Sequence, residues 1–220
     1  IREGQEITTF YMSKSAGVDP TTGEQLYWAY EKNADGSMKP GSEYVTNDAT
    51  VAASCKYLQG SRIPDIYGSI SSSLKFRGFD LGLLFTYSLG GKIYDSIYNA
   101  LMEPSFVGQT YHRNALRTWT APGQRTDVPR TTTTASTQIT DRYLIDASYF
   151  AVKNISLGYS LPKQLLGKVG IESLRIYLAA DSPWIFTHLK GMNPQASFTG
   201  STSYSYTPNR TFTLGVDLKF

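Results

Sequence analysis

The sequence predicts an all-β fold, the final strands of a large antiparallel transmembrane β-barrel with long loops at one end. Apolar and polar residues alternate along several stretches, as in strands with one apolar and one wet face. These stretches run to about 11 to 15 residues, against about 5 to 6 in globular sheets and about 9 to 11 in tilted membrane strands. Their connections alternate between short and long, which is typical of outer-membrane barrels.

The last stretch shows the alternation most clearly. It reads "RTFTLGVDLKF", and Thr213 and Asp217 are among the residues of its polar side. The apolar side consists of Phe212, Leu214, Val216, Leu218 and Phe220. We expect this side to face lipid, because alternation in a membrane wall separates lipid-facing from lumen-facing residues.

Two further strands, Ile63–Phe76 and Phe79–Leu89, are separated only by Arg77 and Gly78, so they predict a tight hairpin. The second strand has an apolar side opposite the one that holds Asp80. Its predicted lipid-facing residues are Phe79, Leu81, Leu83, Phe85 and Tyr87.

Three more strands complete the pattern. Ser148–Leu161 shifts its parity near Phe150, which predicts a bulge, and Ser173–Thr187 alternates regularly. Glu6–Ala16 is the weakest. Six strands are fewer than the eight of the smallest membrane barrels, and open sheet edges are not tolerated in hydrocarbon. We therefore expect a preceding segment or other chains to complete the wall.

Composition excludes several classes of protein. The 21 basic and 18 acidic residues give a net charge of only +3, so no nucleic-acid partner is expected. A transmembrane helix is not predicted, because no apolar run reaches about 18 residues. His112 and His188 are far apart, and no nucleophile elbow or phosphate loop is present. These absences predict a protein that is not an enzyme and has no cofactor.

The stretch "EKNADGS" has two interpretations. Glu31, Asn33 and Asp35 approximate the spacing of a calcium loop, with Gly36 at the sharp turn. The alternative is a simple hairpin tip at Asp35 and Gly36. The sequence favours the hairpin because Glu43 falls one residue beyond the bidentate position of a calcium loop.

Several segments resemble one family. "SYFAVKNISLGYSLP" (148–162), "LRIYLAADSPWIFTHLKGMNP" (174–194) and "NRTFTLGVDLKF" (209–220) are similar to the closing strands of SusC/RagA-type TonB-linked (TonB-dependent) outer-membrane transporters. "GSISSSLKFRGFDLGLLFTYSLGGKIYD" (68–95) resembles an earlier hairpin of that family, and "FYMSKSAGVDPTTGEQLYW" (10–28) its upstream segment.

The resemblance implies a barrel of about 22 strands filled by an N-terminal plug. Residues 1–220 would be the C-terminal portion of this barrel, without plug or TonB box. The implied partners are the remaining N-terminal segment, a SusD-like surface lipoprotein, the TonB system and outer-membrane lipid. The implied location is the bacterial outer membrane, and the implied function is uptake of glycan oligomers or peptides. Phe220 would serve as the C-terminal assembly signal.

Aromatic residues in the long loops are candidates for contact with ligand or lipoprotein. Tyr111, His112 and Trp119 are the best placed, because aromatic faces stack on sugars and fill protein interfaces. Trp184 and Phe186 instead predict an aromatic belt at the membrane surface. The segments 96–104 and 112–119 predict short helices.

Two alternative functions remain open at the level of the sequence. The chain could be a structural barrel component of a secretion or assembly complex, since the wall looks alike whatever passes through it. It could also be a soluble carbohydrate-binding β-sandwich. A sandwich predicts strands of about half this length and polar residues on both outer faces.

Overall fold

The structure is a computed structural model that describes residues 3–102, 108, 110–131, 138–166, 170–188, 193–196, 200–202, 204 and 208–220. The strands are β1 (Thr9–Met12), β2 (Lys14–Val18), β3 (Gln25–Ala29), β4 (Tyr44–Thr46), β5 (Tyr57–Ser61), β6 (Ile66–Phe76), β7 (Phe79–Leu89), β8 (Lys92–Tyr94), β9 (Leu144–Asp146), β10 (Tyr149–Ser160), β11 (Ser173–Thr187) and β12 (Thr211–Lys219). The helices are α1 (Ala49–Ser54), α2 (Ser96–Met102) and α3 (Lys163–Leu166), with 3₁₀ turns at Arg113–Arg117, Asp141–Tyr143 and Pro194–Ala196.

The chain divides into two compact units. The sheet unit comprises Ile63–Gly91, Asp146–Ala196 and Ser205–Phe220. The loop unit comprises Ile1–Arg62, Lys92–Ile145 and Ser197–Tyr204. The loop unit is assembled from the segment before β6 and from the connections between β7 and β10 and between β11 and β12, so these long segments have a fold of their own.

The sheet unit is built on one five-stranded sheet in the order β12-β11-β10-β7-β6, in which every neighbouring pair is antiparallel. The predicted strands Phe79–Leu89 and Ser173–Thr187 have the same bounds as β7 and β11. The bounds of the other three long strands agree with the prediction within three residues. Strands β6, β7, β10 and β11 have 11, 11, 12 and 15 residues, and β12 has 9. The strands are therefore as long as a membrane wall requires.

The hairpin between β6 and β7 is as tight as predicted. Arg77 and Gly78 both have a positive φ, of 49° and 87°. Such a two-residue loop follows the right-handed twist of the strands that it joins. A Cβ atom at Gly78 would lie 2.8 Å from the backbone oxygen of Ser160, so this position accepts no side chain without movement of the backbone.

The predicted bulge in β10 is also present. The register with β7 and with β11 shifts between Val152 and Asn154. Lys153 is the extra residue against β7, and its ammonium donates a hydrogen bond to Gln195. The bulge explains why the apolar parity changes within this strand.

The prediction that Glu6–Ala16 forms one long strand of this sheet is wrong. It forms the short strands β1 and β2, which belong to the loop unit and pair with β5 and β3. They separate at Ser13, a buried residue whose hydroxyl donates to the backbone oxygen of Ala52 (2.8 Å). A buried, bonded serine interrupts the alternation that a wall strand needs, so the sheet has five long strands and not six.

The loop unit has two small apolar clusters. Tyr94, Met102, Val128 and Tyr143 form one, and Ala29, Tyr30 and Cys55 form the other. The short helices predicted in residues 96–104 and 112–119 are confirmed as α2 and the turn at 113–117. In the described part of the chain, no helix has both the length and the apolar character needed to cross a membrane.

The "EKNADGS" stretch forms the predicted hairpin tip. Lys32 and Met38 are bridged in antiparallel fashion, and the amide of Gly36 donates to the backbone oxygen of Asn33 (2.9 Å). The Glu31 carboxylate accepts from Lys39 (2.7 Å), and Asp35 accepts from Ser37. Across the described residues, no group of three or more His, Cys, Asp or Glu side chains could hold a metal ion.

Candidate functional site

One face of the five-stranded sheet is apolar from edge to edge. A row of leucines crosses it, because each leucine lies directly opposite the next in the register of neighbouring strands. The row consists of Leu74, Leu81, Leu157, Leu178 and Leu214. Leu214 is 75% exposed and Leu74 is 59% exposed. Soluble monomers rarely expose contiguous apolar surface of more than a few hundred Å².

The residues predicted to share an apolar side do share one face of the sheet. Phe79 opposes Tyr159, which opposes Ile176, and Ile176 opposes Val216. The same register places on this face the residues Phe79, Leu81, Leu83, Phe85, Tyr87, Phe212, Leu214, Val216 and Leu218. Phe220 follows β12 and is 83% exposed.

Aromatic rings gather at the end of this face that is distant from the hairpin tip. Phe150 stacks on Phe85 with ring centroids 5.6 Å apart, and it contacts Phe186 at 6.3 Å. Trp184 lies opposite Val152 and is 51% exposed. Trp184 and Phe186 thus present large exposed rings beside the apolar band, as belt residues do, and their place in an aromatic belt stays a prediction.

The opposite face carries mainly polar and small residues. One position along from the leucine row, a second row crosses the same five strands. It consists of Ser73, Gly82, Ser156, Ala179 and Thr213. The change from leucine to small polar residues over a single step follows from the period of two along each strand.

A charged network lies on the polar face near the hairpin tip. The guanidinium of Arg175 donates to Asp80 through Nε (2.9 Å) and Nη2 (2.7 Å), and to Asp217 through Nη1 (3.1 Å). Asp80 is on β7, Arg175 on β11 and Asp217 on β12. Two parallel hydrogen bonds to one carboxylate are the strong geometry for arginine. The network therefore ties three strands together.

A glycine makes this network possible. Gly158 on β10 lies between Asp80 and Arg175. A side chain at this position would place its Cβ 2.6 Å from Asp80 Oδ1 and 2.7 Å from Arg175 Nε. The sequence pattern placed Asp80 on the polar side of its strand but did not connect it with Arg175. The signal was available in the alternation, since Gly158 falls on the polar side of its strand.

His112, a predicted contact residue, has a structural role in the loop unit. Its Nδ1 accepts the backbone amide of Asn114 (3.1 Å), which caps the turn at 113–117. Its ring meets Tyr98 edge to face at 4.8 Å, and Asn114 also donates to the Tyr98 hydroxyl (2.7 Å). These contacts cover part of the imidazole ring, so only the remaining part is accessible to a ligand.

Trp119 is likewise engaged. Its indole nitrogen donates to the backbone oxygen of Pro20 (3.0 Å), and its ring covers Gly23 so closely that a Cβ there would lie 2.4 Å away. The side chain holds the turn between β2 and β3. Gly23 has a φ of 75°, which suits glycine for a second reason.

The remaining loop aromatics are more open. Tyr111 is 46% exposed and Tyr204 is 85% exposed. Tyr206 lies outside the described residues. The structure therefore does not gather Tyr111, His112 and Trp119 into one pocket: Trp119 lies on the Pro20–Gly23 turn and His112 on Tyr98.

Comparisons with known proteins point to one kind of protein. The chain is 29% identical to TonB-dependent receptor P3 of Formosa agariphila over 234 aligned residues, covering all of the chain and 23% of that protein. It is 24% identical to TonB-dependent receptor SusC of Bacteroides thetaiotaomicron, covering 88% of the chain and 19% of SusC. No model of a protein family matches the chain.

Solved structures agree with these relatives. A chain of the RagAB peptide importer in its closed-closed state superposes with a TM-score of 0.81 at 28% identity, over 96% of this chain and 23% of that one. The open-open state gives a TM-score of 0.75 at 25% identity. The chain is similar in sequence and fold to a segment of SusC/RagA-type TonB-linked receptors.

The similarity to these outer-membrane receptors assigns the chain to the bacterial outer membrane. It spans less than a quarter of the length of the relatives that it matches. The five-stranded sheet thus corresponds to part of a larger barrel wall, and the SusC/RagA-type resemblance seen in the strand motifs is confirmed.

Proposed function

We propose that this chain supplies part of the wall and part of the outer loops of a TonB-driven nutrient importer. The single observation that supports this function best is the edge-to-edge leucine row on one face, backed by the row of small and polar residues on the other. The apolar face contacts membrane lipid and the polar face lines the water-filled interior, as the alternation in membrane barrels requires.

The edges of the sheet support a larger assembly. In the described residues, β6 and β12 each pair with one neighbour only. An unpaired strand edge costs several kcal/mol per group in hydrocarbon. The proposal therefore includes a preceding barrel segment with its plug, which pairs with these edges and fills the interior. In this proposal, residues 1–220 form one portion of the barrel.

The proposed partners outside the barrel are a SusD-like surface lipoprotein and the TonB system. The cargo is a peptide or a glycan oligomer, since the relatives include a peptide importer and SusC. Tyr111, His112 and Trp119 are proposed contacts to cargo or lipoprotein, with Tyr111 the most accessible. The relatives are named as receptors and an importer, which supports a role without catalysis.

The soluble β-sandwich fits the structure poorly. It requires short strands and two polar outer faces, whereas the sheet has strands of 9 to 15 residues and one exposed apolar face. No observation favours the secretion or assembly complex over the importer.

Uptake by whole cells tests the proposed function. A strain that lacks the complete receptor is compared with the complemented strain for uptake of fluorescently labelled oligopeptides and oligosaccharides, with and without a protonophore. We expect one cargo class to enter only in the complemented strain and only when the membrane is energised. Equal uptake of both classes in the two strains, with a secreted protein missing from the medium of the deletion strain, would establish the secretion role instead.

A further inference from the structure

Lys14 in the loop unit is held between two aromatic rings. Its ammonium lies 5.5 Å from the centroid of the Trp28 ring and 5.4 Å from that of Tyr57. Both distances are within the range of a cation–π interaction. Lys14 directly opposes Trp28 in the pairing of β2 with β3, and Tyr57 comes from β5.

The rings that hold this ammonium are themselves fixed. Tyr57 packs edge to face against Tyr30, with ring centroids 5.2 Å apart and an interplanar angle of 88°. The Tyr30 hydroxyl donates to the backbone oxygen of Lys56 (3.1 Å). Next to Lys14 in the chain, Ser13 is buried and bonded to Ala52. The cluster is therefore preorganised, which lowers the entropic cost of binding.

Lys14 makes no ion pair in the described part of the chain, whereas other cations of the same unit do: Lys39 pairs with Glu31 (2.7 Å) and Arg130 with Glu24 (2.8 Å). A carboxylate does lie beside the Lys14 cluster: that of Glu43 is near the Tyr57 hydroxyl, and burial together with this carboxylate raises the pKa of Tyr57. Lys14 is only partly buried, so its ammonium retains donors that point away from the rings. Aromatic faces compensate the charge but accept no conventional hydrogen bond, which leaves those donors available to an acceptor.

An apolar surface continues beside the ammonium. Val45 lies opposite Trp28 in the pairing of β3 with β4 and is 45% exposed. Lys14, Trp28 and Val45 thus form a row across three strands, with a cation at one end and an aliphatic side chain at the other. The complementary ligand has an anionic group next to an apolar or C–H-rich surface.

We infer that Lys14, Trp28 and Tyr57 form a subsite for a carboxylate group of the cargo, with Trp28 and Val45 contacting the adjoining apolar part. The inference rests on the proposed importer function, because it assigns a chemical class to the cargo. A carboxylate of this kind occurs in an acidic peptide and in a uronic acid oligosaccharide.

Direct binding to the complete detergent-solubilised receptor tests the subsite. The probes are a Glu-containing pentapeptide and an oligogalacturonate, each compared with its amidated, uncharged form. Wild type is expected to bind one carboxylate probe at least about tenfold more tightly than its amide. Lys14→Met should abolish that preference, Lys14→Arg should retain it, and Trp28→Leu should weaken both forms of the probe.

Lys32→Met is the matched control, since Lys32 is an exposed lysine of the same unit that forms no ion pair with any described residue. It should leave the preference intact. An equal loss in Lys32→Met would show nonspecific attraction by net charge, and an unchanged preference in Lys14→Met would also overturn the subsite. So would the absence of any carboxylate preference in wild type. Uptake of an uncharged cargo by Lys14→Met cells reports separately on the importer function.

Discussion

Arg175 reaches Asp80 across an intervening strand, through two hydrogen bonds of 2.9 and 2.7 Å that pass over Gly158. Side chains on strands two apart do not normally meet at this distance. The contact exists because β10 presents a glycine at the crossing point. The register of β7, β10 and β11 is thereby fixed on the polar face, independently of the apolar packing on the other face.

Replacing Gly158 by alanine should break this contact. The new Cβ would lie within 2.7 Å of both partners, so we expect the charged hydrogen bonds to be broken and the barrel to be destabilised. The temperature at which the folded barrel converts to the unfolded band on a semi-native gel measures the effect. In an Arg175→Ala background, Gly158→Ala should lower the stability much less, because the arginine side chain that the new Cβ would clash with is absent and the Arg175–Asp80 contact is already lost. Equal costs in both backgrounds would show that Gly158 serves another purpose.

Arginine substitutions should distinguish the two faces of the sheet. Leu214→Arg or Leu83→Arg should destabilise the inserted barrel by about 2 to 4 kcal/mol if the position lies near the bilayer midplane. Thr213→Arg is the matched control, because Thr213 neighbours Leu214 but belongs to the polar row. Thr86 is a poorer control, since its hydroxyl is buried and its cross-strand neighbour Ala151 is also buried. Equal loss from Leu214→Arg and Thr213→Arg in a membrane fractionation would contradict the assignment of the lipid face.

Deleting residues 215–220 should prevent membrane insertion. The deletion removes the pairing of β12 with β11 from Ser173 to Tyr177, together with the ion pairs of Asp217 and Lys219. We expect the complete receptor with this deletion to accumulate in the periplasm and to be degraded. A deletion of residues 131–136, almost all of which lie outside the described residues, should leave insertion intact. Normal outer-membrane levels of the first variant would show that β12 is dispensable for the wall.

The turn on which Trp119 packs should weaken in acid. The Asp19 carboxylate accepts the backbone amide of Thr21 (2.7 Å), and this hydrogen bond lowers the pKa of Asp19. The pKa of Asp19 is lower in the folded state than in the unfolded state. The stabilisation is therefore complete above the ordinary pKa of an aspartate, about 4, and is lost as the pH falls through the lower pKa of the folded state. The protection factor of the Thr21 amide, which is corrected for the intrinsic pH dependence of exchange, should fall over that window. Asp19→Asn should remove the pH dependence of the protection factor, and a dependence that survives this substitution would assign the effect elsewhere.

Alanine substitutions of His112 and Tyr111 should distinguish a residue with a structural role from one with a binding role. His112→Ala removes the acceptor that caps the turn at 113–117 and should cost about 0.5 to 2 kcal/mol locally, measured as faster amide exchange of Asn114. Tyr111→Ala should leave exchange unchanged, because Tyr111 is exposed. If Tyr111 contacts cargo or lipoprotein, its substitution weakens that binding while the fold is preserved. Unchanged exchange in His112→Ala would refute the capping role.

The architecture of the sheet unit could be predicted from local sequence patterns. Alternation fixes which residues share a face, and the two-residue Arg77–Gly78 loop fixes the pairing of β6 with β7, so strand bounds and faces were predicted within a few residues. These are local properties, since the period of two and the turn geometry act over neighbouring residues. The bulge in β10 was visible for the same reason, as a change of parity.

The contacts made by the loop residues became visible only in the tertiary structure. Glu6–Ala16 alternates weakly, but burial of Ser13 against Ala52 divides it into two short strands. Trp119 looked available to a ligand until its indole was found on Pro20, 99 positions away. The crossing of Arg175 over Gly158 and the placement of Lys14 between Trp28 and Tyr57 likewise join residues from different strands. Such contacts depend on how separate segments pack, and no local pattern encodes the distance between them.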